Sequence, residues 1–145
     1  MGYRGRQKIR VGARGVNQRR CGAAAIEFAI IAPLFFTLVF GSIEFGRALM
    51  VQQVLTNASR VGAREAITLN GTQSAVTSVS TSYATGASVS GMSVSVTPDP
   101  ANALAGDMVT VNVSVPYSNV SWLPPWFLGG TTLSASSVMR KEGFE

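Results

Sequence analysis

Residues 23–43, AAAIEFAIIAPLFFTLVFGSI, form an apolar run of 21 residues interrupted by a single charge, Glu27. About 20 such residues span the hydrocarbon core of a bilayer. A chain of 145 residues with this segment near its start can either cross a membrane with it or bury it as a core helix. The roughly 100 residues that follow are mostly polar and too few to wrap it on every side. The run therefore reads as a transmembrane segment.

The charge distribution orients it. Residues 1–20 carry seven cations (Arg4, Arg6, Lys8, Arg10, Arg14, Arg19 and Arg20) and no acid. The other 125 residues hold five cations and seven acids. The net charge of +5 thus belongs to a leader, residues 1–22, and not to a nucleic-acid surface, so no nucleic-acid partner is expected. Positive charge on one flank places residues 1–22 in the cytoplasm and the chain beyond Glu44 outside it. Cleavage by signal peptidase would need small residues at the far end of the run. GSIEFGR there is a poor match. Arg19-Arg20 could mark twin-arginine export, but that route needs the same site. Cys21 precedes the run, so it is not a lipoprotein cysteine.

Several functions are excluded by composition. The chain has no His and one Cys, which leaves no Ser-His-Asp triad, no usual zinc or haem site and no internal disulfide. There is no catalytic pair of carboxylates and no phosphate loop, so no enzyme and no cofactor are expected. Asp99 and Asp107 are too few for a calcium site, and no metal site is expected. Four N-x-S/T tripeptides, headed by Asn57, Asn70, Asn112 and Asn119, fit chance in a Ser/Thr-rich chain.

Beyond the run, residues 44–70 continue as an amphipathic helix. Val51, Leu55, Ala58, Gly62, Ala66 and Leu69 recur at spacings of three and four. No breaker separates this stripe from the apolar run, so one helix is expected from Ala23 to Leu69, stopping at Asn70-Gly71. Pro33 removes one ladder bond and predicts a kink. Residues 71–145 form an extracytoplasmic α+β domain. A short helix is expected over 73–84. Then the period changes to two, with Met92, Val94 and Val96, with Val109, Val111, Val113 and Val115, and more weakly with Leu133, Ala135 and Ser137. The fold class is α+β, pilin-like: a long N-terminal helix packed on a small antiparallel sheet of about three strands. The outer half of the helix supplies the lid that the sheet's apolar face requires.

The chemistry lies where leader meets run, in RRCGAAAIEF. A carboxylate inside a membrane segment costs roughly 2.5–3.5 kcal/mol on insertion scales. A cut after Gly22 would give Ala23 a charged amine one helical turn from Glu27. At ~4 Å and an effective dielectric near 20, such a pair is worth about 4 kcal/mol before desolvation. The partner amine belongs to the same chain or to a neighbouring subunit. Alternatively, Glu27 snorkels to the headgroups and pairs with Arg19 or Arg20.

A basic leader, Gly22, and a glutamate five residues later in an apolar run resemble the processing site of type IV prepilins. More narrowly, Gly22, Ala23, Glu27, Phe28, Ala29, Pro33, Glu44, Phe45, Gly46 and Arg47 resemble the TadE-like family of tight-adherence (Tad/Flp) pilus systems. TLSASSVMRKE, Thr132–Glu142, resembles that family's closing strand. The resemblance implies a minor pseudopilin of the bacterial inner membrane, single-pass and cut by a prepilin peptidase. Such a protein supports assembly or secretion of an adhesive pilus. Its implied partners are the peptidase, other pilin-like subunits, the Tad secretion machinery and the bilayer. Gly22, Ala23, Glu27 and Phe28 carry over as the processing site. The rival reading is an uncleaved, signal-anchored binding or structural protein of the cell envelope.

Two further features bear on partners. Ala58, Gly62 and Ala66 form a small-residue stripe that either admits a partner helix or packs on the protein's own sheet. Trp122-Leu-Pro-Pro-Trp126-Phe-Leu is an apolar loop that either plugs the core or forms an exposed docking surface.

Overall fold

The computed structural model describes residues 15–122, 124 and 128–143, with side chains from residue 22 onward. Most of the basic leader and Trp126 lie outside the described residues. The element order is α1 (Gly15–Ala66), α2 (Gln73–Gly86), β1 (Ser93–Thr97), β2 (Met108–Pro116) and β3 (Thr132–Arg140), with a 3-10 turn at Tyr117–Asn119. The architecture is the expected α+β, a long helix followed by a second helix and a three-stranded antiparallel sheet. The chain divides into two compact units, Met1–Phe40 and Gly41–Glu145.

In the first unit, α1 begins at Gly15, eight residues before the expected start at Ala23. Gln18, Arg19 and Arg20 are good helix formers, and extending an existing helix avoids the cost of nucleation. Pro33 lies inside α1 without ending it. Thr37 Oγ1 donates to the Pro33 carbonyl at 2.8 Å. The helix is long and apolar enough to span a membrane, and none of its most apolar window is buried within the chain.

In the second unit, the sheet order is β1-β2-β3, with both pairs antiparallel. The register sets Val94 opposite Val113 and Val96 opposite Val111. On the other side, Val115 faces Leu133 and Val109 faces Met139. Period-two alternation turns Val109, Val111, Val113 and Val115 inward, and all four are fully buried. Val51, Val54, Leu55, Ala63 and Ala66 of α1 join Val76 and Ala84 of α2 in the same core. The central strand is thus covered by helix, as the expected lid requires.

β3 extends from Thr132 to Arg140, beyond the alternation read over Leu133–Ser137 but within Thr132–Glu142, the stretch that resembles a closing strand. Its inward positions mix apolar and polar residues, which hid the alternation. The inward Ser137 has a partner in buried Ser59 of α1, with hydroxyls 2.8 Å apart. Gln52 of α1 also donates to the Ser134 carbonyl at 2.8 Å.

α1 ends at Ala66, one turn before Leu69. Two contacts stop it. An added Cβ at Gly71 would lie 2.8 Å from the Glu65 carbonyl and 2.9 Å from that of Ala66, so only glycine lets the chain turn this closely under the helix. The free carbonyls are then taken by the end of the chain. Buried Lys141 donates from Nζ to Thr68 O at 2.6 Å and Pro100 O at 3.0 Å, with a longer bond of 3.4 Å to Ala66 O. The Glu142 amide donates to Ile67 O at 3.1 Å. A cation at a helix C-terminus also complements the helix dipole. Thr72 then caps α2, its Oγ1 accepting from the Ala75 amide at 3.2 Å.

Each buried valine is worth about 1.5–3 kcal/mol, so the α1 lid represents a large part of the ~5–15 kcal/mol stability of a small domain. A fragment of residues 41–145 should therefore unfold cooperatively in mild detergent. A fragment of residues 71–145 should show no cooperative transition by circular dichroism. A sharp transition in the shorter fragment would remove α1 from the core.

Candidate functional site

Two groups of residues carry the functional argument, one in each unit. In the first, Gly22, Ala23, Glu27 and Phe28 all lie on α1 and are all exposed. Ala23 and Glu27 are four residues apart, one above the other on the same helix face. An added Cβ at Gly22 would meet nothing within 4 Å. The chain's own packing does not call for glycine at this position.

The second group is built on the first turns of α1 in the second unit. Glu44 and Arg47 are the first charges after the apolar run in the sequence. Both are buried, at 5% and 4% exposure. Arg47 donates from Nε to the Val120 carbonyl at 2.9 Å and from Nη2 to the Ser88 carbonyl at 3.0 Å. Its Nη1 lies 3.3 Å from Met50 Sδ. Its outer face is covered by Trp122, with the guanidinium carbon 4.6 Å from the ring centroid, a cation–π contact. Ser88 adopts φ +59°, a conformation uncommon outside glycine, and its carbonyl is one of the two that Arg47 holds.

Glu44 closes the other side. Its Oε1 accepts from the Leu128 amide at 3.0 Å. Buried Tyr117 donates from its hydroxyl to the Glu44 carbonyl at 2.8 Å. Desolvation raises the Tyr117 pKa above 10.0; the Glu44 carboxylate raises it further, and Arg47 opposes both. The result is a polar clasp holding the segments at Ser88, Tyr117–Trp122 and Leu128 to one helical turn. The stripe at spacings of three and four, extended backward from Val51, lands on Ala48, Arg47 and Glu44. That signal could have found the inward charges. Nothing in the sequence pattern points to Tyr117 or Lys141.

The remaining residues are placed as follows. Ala58, Gly62 and Ala66 are all buried within the second unit. An added Cβ at Gly62 would collide with Ser80 Oγ and come within 3.3 Å of Val76 and Val111. The small-residue stripe is therefore filled by α2 and β2. Trp122 is 71% exposed, so it does not plug the core. Asp99 Oδ1 accepts from the Ala101 amide, and Asp107 Oδ2 from the Leu104 amide. Each carboxylate closes a local turn. Among the described residues no cluster of three or more metal-ligating side chains occurs.

Residues 22–64 match the family of TadE-like proteins. The match starts at the glycine singled out above and runs through Glu27 and the clasp residues Glu44 and Arg47. The resemblance drawn from the sequence therefore holds over this segment. No curated protein and no solved structure matches the chain.

Substituting Arg47→Met should cost about 3 kcal/mol in chemical denaturation, since the buried Val120 carbonyl and the part-buried Ser88 carbonyl lose charge-assisted bonds worth roughly 1.5–3 kcal/mol each. Tyr117→Phe should cost only about 1 kcal/mol at neutral pH. Because the folded state favours the neutral phenol, the Tyr117 contribution is present below pH 10.0 and is lost as pH rises through the raised value. The stability gap between wild type and Tyr117→Phe should accordingly narrow above pH 10. A gap that stays constant there would contradict the placement of this hydroxyl.

Proposed function

We propose that this protein is a TadE-like minor pseudopilin, anchored in a membrane by the first part of α1 and associated with a Tad-type pilus. In this reading residues 1–22 are a cytoplasmic leader removed by a prepilin peptidase. The mature chain starts at Ala23, in the bacterial inner membrane, with its α+β domain on the extracytoplasmic side. It acts by assembling with other pilin-like subunits and the Tad secretion machinery, and it catalyses nothing.

The observation that carries this reading is Gly22. It opens the TadE-like match, sits at the border of the basic leader and the apolar run, and has open space around it. A peptidase that must close on the backbone at the membrane face has a reason to require glycine where the fold has none. Glu27 supports the same reading. After cleavage it faces a new amine one turn away, or the amine of an adjacent subunit, and an intramembrane carboxylate gains a partner. Net positive charge confined to residues 1–20 supports the orientation.

Two substitutions test it. Gly22→Leu should leave a folded, full-length precursor in the membrane, because a Cβ added there meets nothing within 4 Å. Normal processing of that variant, read as intact mass after membrane extraction, would sink the peptidase claim and favour an uncleaved envelope protein. Glu27→Leu should insert and be cut, and then fail to support pilus assembly. Wild-type adherence with Glu27→Leu would favour the snorkelling alternative.

A further inference from the structure

The apolar exterior of α1 does not stop where the apolar run stops. Between Glu27 and Arg60 the sequence holds two charges, Glu44 and Arg47, and the clasp turns both inward. The outward positions of the next two turns are Ile43, Phe45, Leu49 and Met50, at 44%, 60%, 52% and 45% exposure, with exposed Gly46 among them. Past Ser42, the next exposed polar side chain is Gln53, followed by Arg60 and Arg64. Trp122 lies at the same level, its ring against Arg47.

We infer that Trp122 and the Ile43–Met50 turns form a membrane-interface collar, seated in the headgroup region of the outer leaflet. The inference rests on the proposed anchoring of α1 and adds a boundary to it. The run to Ile43 is already long enough for a hydrocarbon core of about 30 Å. The seven residues Glu44–Met50 add about 10 Å at 1.5 Å per residue. That is close to the ~5–8 Å of one headgroup layer and within the ~5–10 Å that amphipathic helices bury.

The occupant is lipid rather than a second helix for a geometric reason. At 100° per residue the exposed apolar positions cover about 160° of the helix circumference, wider than a stripe of about 100° given to one packed neighbour. Lipid covers the whole arc. An exposed indole with a buried cation beneath it also suits the interface, where tryptophan is enriched.

The test uses the full chain in phosphatidylcholine–phosphatidylglycerol vesicles. Trp126→Phe leaves Trp122 as the single tryptophan. Vesicle flotation reports the anchor, and quenching reports the collar. Lipids brominated near the headgroup should quench Trp122 at least two-fold more than lipids brominated at the bilayer centre, with weak quenching by aqueous acrylamide. A floating protein whose Trp122 is quenched by acrylamide alone would overturn the collar and leave the anchor standing. Protection from both quenchers that depends on protein-to-lipid ratio would overturn it in favour of a second copy. Failure to float would overturn both. As a second measurement, a spin label on Leu49→Cys in a Cys21→Ser background should be more accessible to oxygen than to an aqueous nickel chelate. The reverse order would place Leu49 in water and overturn the collar.

Discussion

The structure depends on one buried guanidinium. Removing a cation from water carries a penalty of several kcal/mol, repaid only when its hydrogen bonds are satisfied and its surroundings are well ordered. Arg47 meets that demand with the carbonyls of Ser88 and Val120 and the face of Trp122. These groups come from two loops remote from each other in sequence. Because the charge cannot be left unpaired, both loops are fixed to one turn of α1. Glu44 adds Leu128 to the same turn and Tyr117 bonds to its carbonyl. The clasp also empties the outside of the helix of charge. One choice of rotamer direction therefore organises the domain and leaves α1 with an apolar exterior.

The opposite end of the α1 segment is closed in a comparable way. Lys141 binds carbonyls left free past Ala66, and Gly71 lets the chain turn beneath them. Since Lys141 follows directly on β3, the last strand is pinned to the end of α1. Between clasp and cap, the valines of β2 pack against Val51, Leu55 and their neighbours. Two charge-assisted fixings with an apolar seam between them set the register of helix on sheet. Apolar contact alone would not: valine on a flat stripe tolerates sliding, and directional bonds do not.

Much of this was legible in the residues. The apolar run, the three- and four-residue spacing of the lid and the alternation in β2 each reflect burial, and burial leaves a periodic trace. The likeness to TadE-like proteins over residues 22–64 was legible because its signal is local. What stayed hidden lacked periodicity or reversed its usual meaning. Glu44 and Arg47 stood out in the sequence only as the charges that follow the apolar run. Their burial follows from hydrogen-bond partners more than 40 residues away in sequence. The inward serine at 137 blurred β3, because its partner, Ser59, lies on another element. Lys141 lay in the closing-strand motif, but its acceptors at Thr68 and Pro100 are distant in sequence. The choice between partner helix and own core for Ala58, Gly62 and Ala66 depended on α2 supplying Val76 and Ser80 at the right place.

The central claim is that the outer half of α1 and the sheet form one cooperative unit held by the clasp. Native-state hydrogen exchange on the full chain in bilayers measures this residue by residue. The α1 amides of residues 51–66 and the β2 amides of residues 109–115 should open with a common free energy, equal to that of global unfolding of the domain. Helix amides that open well below the strand amides would show a sheet folding without its lid, and would contradict the account.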